Sequence, residues 1–115
     1  MIGIAFVIAF GRAARVPRAD PVPPARPADA WFARDKAFHF AASALIQGAA
    51  HAAFRARGAD YGAASRGAAV VTLTAGIGKE VWDHYHPGHD ASARDLAWDV
   101  AGGATAAVVA RRIDR

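Results

Sequence analysis

The chain contains no cysteine, a single methionine and no apolar stretch of the about 20 residues that a bilayer-spanning helix requires. The absence of cysteine excludes disulfides, thiolate metal ligands, a cysteine nucleophile and lipid attachment through an N-terminal cysteine. Proline is scarce outside one segment: all but one of the six lie in VPRADPVPPARPAD, residues 16–29. Large apolar side chains are sparse too. Hydrophobic residues make up 54% of the 115, but alanine dominates them, which favours helix and close helix contact over a bulky core. One small all-α domain is the expectation.

A basic stripe interleaved with aromatic residues is also missing. The formal charge of +4 comes largely from arginines flanking the apolar runs, Arg12, Arg15, Arg18, Arg26 and Arg34 before them and Arg111, Arg112 and Arg115 after them. That placement suits a membrane surface as well as a nucleic acid, but without such a stripe a nucleic-acid partner is not expected.

Residues 1–15 begin with MIGIAFVIAF, an apolar segment that would rise only about 15 Å as a helix, half a bilayer core. Its positive charges follow the apolar stretch, the reverse of a secretory signal, so it is read as a truncated or atypical targeting or anchor segment. Residues 16–30 form a proline-rich linker, expected to be extended and exposed. Residues 31–115 are the helical domain.

Three apolar runs, 37–54, 67–78 and 96–110, predict a compact three-helix, alanine-rich bundle with helices over about 34–57, 65–84 and 93–112. Gly58 suits the end of the first helix, YGAAS supplies a loop and a cap near Ser65 for the second, and Pro87 and Gly88 end it. Ser92 and Asp95 have capping-box spacing at the start of the third. Run length leaves open whether the bundle is membrane-embedded; Gly48, Gly76, Gly78, Gly102 and Gly103 suit the tight packing of membrane helices, whereas Asp99 would be costly facing lipid.

Short loops imply an up-down-up path, which brings the start of the first helix, the end of the second and the start of the third together. Those places hold Asp35, Lys36 and His39; Lys79, Glu80 and Asp83; and Ser92, Asp95 and Asp99. Asp35 and His39, Glu80 and Asp83, and Asp95 and Asp99 each share a helix face. Five carboxylates at close range repel, so lysines, protons or a divalent cation must compensate.

The blocks DKAFHFAASAL, GKEVWD and SARDLAWDVAGG resemble the YfiM-like family of small proteins described as envelope lipoproteins, and the same residues bear a looser likeness to VanZ-like membrane proteins. The resemblance covers about residues 34–110 and includes all nine residues of the polar cluster. It implies a cell-envelope location, inner-membrane-associated or periplasmic, and brings no established activity. The chain departs from the family in having no cysteine after its N-terminal apolar segment.

Two roles follow from these residues. In the first, the cluster fixes helix register in a structural, assembly or accessory subunit of a membrane or envelope complex. In the second, His39, Glu80, Asp83 and Asp99 bind a divalent metal ion and the protein is a metal-assisted hydrolase of a lipid or envelope phosphate. His84, His86, His89 and Asp90 also have ligand-like spacing, but they fall on a Pro-Gly loop and are read as solvated. Ser92 is accounted for by capping. Trp82, Tyr85 and Trp98 suit either an interfacial belt or a small core.

Overall fold

A computed structural model of the chain describes residues 19–24 and 28–114. The apolar N-terminal segment, residues 1–15, lies outside them. Three helices follow one another, α1 (Arg34–Ala56), α2 (Tyr61–Tyr85) and α3 (Ala93–Ile113), and no strand forms among the described residues. The protein is an all-α three-helix bundle in which α1 packs against both partners and α2 and α3 meet least.

Each boundary has a local cause. α1 begins without a side-chain cap, with Asp35 in its first turn where the helix dipole favours an anion. It ends in a Schellman motif: Gly58 takes a φ of +91°, its N–H reaches Arg55 O at 2.9 Å, and the Ala59 N–H reaches Phe54 O at 3.1 Å. α2 starts four residues earlier than Ser65, because Asp60 is the cap and its carboxylate accepts the Ala63 N–H at 2.7 Å. Ser65 instead lies inside the helix, its hydroxyl 3.3 Å from His51 Nδ1. α3 is capped by Ser92, whose Oγ accepts the Asp95 N–H at 3.2 Å.

The interior is inverted relative to an ordinary water-soluble bundle. Every buried residue of α1 is polar: Lys36, His39, Ser43, Gln47 and His51. α2 and α3 meet this stripe with alanine, glycine, Thr72, Glu80, Asp83, Asp95 and Asp99. The buried hydrophobic residues are alanines, Ala64, Ala68 and Ala110. Most of the large apolar side chains point outward, with Phe38 68%, Leu45 74% and Ile113 79% exposed and Val70, Ile77, Val81 and Val108 more than half exposed, while Phe40, Ile46, Phe54, Leu96 and Trp98 are half-buried.

Small residues let the polar stripes approach. A Cβ on Gly102 would sit 2.1 Å from the Phe40 carbonyl oxygen, so α3 crosses α1 at a point only glycine permits. A Cβ on Gly76 would meet Asp99 Oδ2 at 2.7 Å, and one on Gly103 would meet Thr72 Cγ2 at 3.3 Å. Gly48 and Gly78, expected to serve the same purpose, face open space. Among the described residues no helix is long and apolar enough to cross a membrane.

Candidate functional site

The up-down-up path gathers the polar residues of three helix ends. Lys36, only 2% exposed, sits at the centre and donates to Asp29, to Asp35 Oδ2 at 2.7 Å and to Asp95 Oδ1 at 2.6 Å. Burial alone would push its ammonium down, but the three carboxylates outweigh that and hold it well above the usual lysine range. The same hydrogen bonds hold Asp29 and Asp35 below the usual carboxylate range, with Ser92 adding to the effect on Asp29.

One turn deeper, His39 bridges two α3 carboxylates. Its Nδ1 lies 3.0 Å from Asp99 Oδ1 and its Nε2 lies 3.2 Å from Asp95 Oδ2. Ser43 Oγ donates to Asp99 Oδ1 at 2.8 Å. Glu80 reaches from α2 to the start of α3, where one carboxylate oxygen, Oε2, accepts the Ser92 backbone N–H. In a capping box the acidic residue of the same helix makes that bond. Here Asp95 turns inward to Lys36 and His39, and Glu80 takes over the reciprocal half from another helix.

Asp83 pairs with Lys79 on its own helix, and His89 Nδ1 stands 3.4 Å from its other oxygen. Asp83 raises Lys79 against the opposing effect of burial. The nine residues singled out in the sequence thus fall at one end of the bundle: Asp95 joins the Lys36–Asp35 pair to the His39–Asp99 pair, while Lys79 pairs with Asp83 and Glu80 ties to Ser92.

Among the described residues three buried carboxylate oxygens accept no hydrogen bond: Glu80 Oε1, Asp99 Oδ2 and Asp83 Oδ1, the last with His89 Nδ1 3.4 Å away. Asp99 Oδ2 faces Gly76 beside a cavity of about 180 Å³ that His39, Ser43 and Lys79 also line. Ligand atoms of His39, Glu80 and Asp95 lie within 4.8 Å of one another, a spacing that could hold a metal ion; Asp29, Asp35 and Asp95 form a second such group, which Lys36 already occupies. Asp83 and Asp99 are in neither group.

Of the histidines expected on the loop, His84 lies in the last turn of α2 and only His86 and His89 follow the helix; all three find local partners. His86 stacks on Trp82 with ring centroids 3.8 Å apart and its Nδ1 is 2.6 Å from Trp82 O, while His84 meets the Tyr85 ring edge-on. Trp82 and Tyr85 are exposed; Trp98 packs against Phe32 and Phe40 and donates to Trp31 O at 2.8 Å.

Sequence reasoning missed Asp29. The described part of the linker carries no helix or strand, as expected, but its end docks: Asp29 binds Lys36 and accepts from Ser92 Oγ at 2.7 Å. It also missed the rest of the polar stripe. Thr72 Oγ1 lies 2.9 Å from Gln47 Oε1, and at the far end His51 Nε2 lies 2.7 Å from Asp114 Oδ2. The 3- and 4-residue spacing from Lys36 through His39, Ser43 and Gln47 to His51 was the signal available.

No family model, no curated protein and no solved structure matches the chain.

Proposed function

We propose that the protein is a small helical accessory or assembly subunit of the cell envelope, seated with its outer face against apolar surroundings in or beside the membrane. One observation carries this proposal: polar side chains and small residues fill the interior, and most of the large apolar ones lie on the outside. In water that distribution forfeits most of the apolar burial that stabilises a domain, and contiguous exposed apolar surface marks a contact with lipid or another protein.

The distribution of charge agrees. Between Arg34–Lys36 and Arg55, the outward face of α1 carries no charged residue over 37–54, about 27 Å of helix. The polar residues that lower the hydropathy of this stretch, His39, Ser43, Gln47 and His51, are the ones turned inward. The resemblance of the three sequence blocks to the YfiM-like family favours the same compartment. Within the bundle, the polar contacts from Lys36 to His51 would fix the rotation and register of the helices, a task that small apolar contacts perform poorly.

The proposal is tested by purifying the full chain with and without detergent. Sedimentation in detergent-free buffer should show aggregates or a larger assembly, and vesicles should recruit the protein; a monodisperse monomer that ignores vesicles would overturn the proposal.

A further inference from the structure

We infer that His39, Glu80 and Asp95 form a binding site for one divalent transition-metal cation, each residue held by one atom and presenting the other. His39 Nδ1 lies against Asp99 Oδ1, itself fixed by Ser43, which leaves Nε2, 3.2 Å from Asp95 Oδ2, as the nitrogen to face a metal. Asp95 Oδ1 is taken by Lys36, which leaves Oδ2. Glu80 Oε2 is taken by the Ser92 N–H, which leaves Oε1, a sequestered oxygen without a partner on a side chain only 6% exposed. Outer partners that orient ligands in this way, above all a carboxylate on the far nitrogen of a histidine, are the usual support of metal sites.

The spacing fits. Nε2 and Oδ2 are 3.2 Å apart, close to the about 3.3 Å that separates two ligand atoms of a tetrahedral ion bound at about 2.0–2.1 Å. Glu80 completes the set: one ligand atom from each of the three residues lies within 4.8 Å of the others.

Other cations account for less of the cluster. An ammonium has three donors, and Lys36 spends all three on Asp29, Asp35 and Asp95. Lys79 is engaged with Asp83. A proton on His39 would serve Asp95 and Asp99 and still leave Glu80 Oε1 buried and unpaired, a costly arrangement. One imidazole and two carboxylates suit zinc, cobalt, nickel or manganese, whereas magnesium and calcium favour all-oxygen sites. Three protein ligands leave a coordination position for water.

This site does not depend on what covers the outer face. Its test uses the full chain in detergent, stripped with a chelator and titrated with cobalt(II), zinc(II) and magnesium(II). One cobalt per chain should bind with visible absorption bands, be displaced by zinc and resist magnesium, and the nitrogen resonance of His39 Nε2 should move while Nδ1 keeps its proton. Glu80→Gln and Asp95→Asn should each weaken binding by more than the about 10- to 100-fold typical of an outer-shell change. Asp83→Asn and a combined His84→Ala, His86→Ala, His89→Ala variant should retain it. Absence of stoichiometric binding by the unmodified chain, unchanged affinity in Glu80→Gln, or loss of binding in the loop variant would each overturn the assignment. Should Glu80→Gln fail to fold, the stoichiometry and the His39 resonance still decide the matter.

Discussion

Both ends of the bundle are closed by polar side chains, yet only one matches its acceptors with donors. At the far end, Asp114 receives Arg55 Nε at 2.8 Å and Arg55 Nη2 at 3.4 Å, and lies 2.7 Å from His51 Nε2; the other nitrogen of His51 meets Ser65. At the near end four buried carboxylates meet fewer donors: Lys36 and His39 serve Asp95 and Asp99, Lys79 serves Asp83, Glu80 takes the Ser92 N–H, and three carboxylate oxygens accept no hydrogen bond. A clasp that only holds helices together resembles the far end. The surplus of acceptors at the near end suits a bound cation.

Removing the central cation should therefore break the near end most severely. Lys36→Met removes the cation paired with buried Asp95 and with the partly exposed Asp29 and Asp35, and loss of one partner of a buried ion pair costs about 3–5 kcal/mol. Denaturant unfolding of the full chain in detergent should show that loss or an unfolded protein. The lysine is raised above its ordinary range, so its contribution is complete below the unfolded value of about 10.4 and disappears only as pH climbs through the higher folded value. A loss below about 1 kcal/mol would mean that Lys36 does not organise the cluster.

The crossing between the two ends offers a smaller and more uniform perturbation. Gly102→Ala places a methyl 2.1 Å from a backbone oxygen of α1 that cannot move aside as a side chain can, an overpacking cost of about 1–3 kcal/mol or more. Gly48→Ala, in the same bundle but with open space around it, should instead gain up to about 1 kcal/mol from helix propensity. Opposite signs of the melting-temperature shifts would locate the tight contact at α1–α3. Equal shifts would contradict it.

How far the sequence revealed this arrangement depended on the kind of signal. The start of α3 was legible because Ser92 and the following acidic turn form a local pattern, and the meeting of three helix ends followed from short connections. The start of α2 was misplaced because two capping candidates, Asp60 and Ser65, precede the same apolar run, and proximity to that run favours the wrong one. Asp29 was hidden by its proline-rich surroundings, since its contact with Lys36 is tertiary. The inversion is the deepest loss. Polar and apolar stripes both repeat with the helix, so the period from Lys36 to His51 identifies a face without saying whether it points inward. The division of labour between Asp95 and Asp99 was equally closed to spacing, because both lie on one face and only the position of His39 separates them.

The far end should yield the least and thereby sharpen the contrast. Arg55 is partly exposed, and its pair with Asp114 is a surface contact, so Arg55→Ala should cost only about 0.2–1 kcal/mol. Acid tests the same clasp without mutation. Hydrogen bonds from His51 and then Arg55 hold Asp114 below the usual carboxylate range, so its stabilising contribution is complete above the unfolded value of about 3.9 and is lost as pH falls through the lower folded value. Amide exchange over the last turn of α3 should therefore be flat from neutral pH to about 4 and, after correction for intrinsic rates, rise only in stronger acid. Exchange that rises already between about pH 7 and 5 would show that the end is governed by a group other than Asp114, and the far end could no longer stand as the self-satisfied counterpart of the near one.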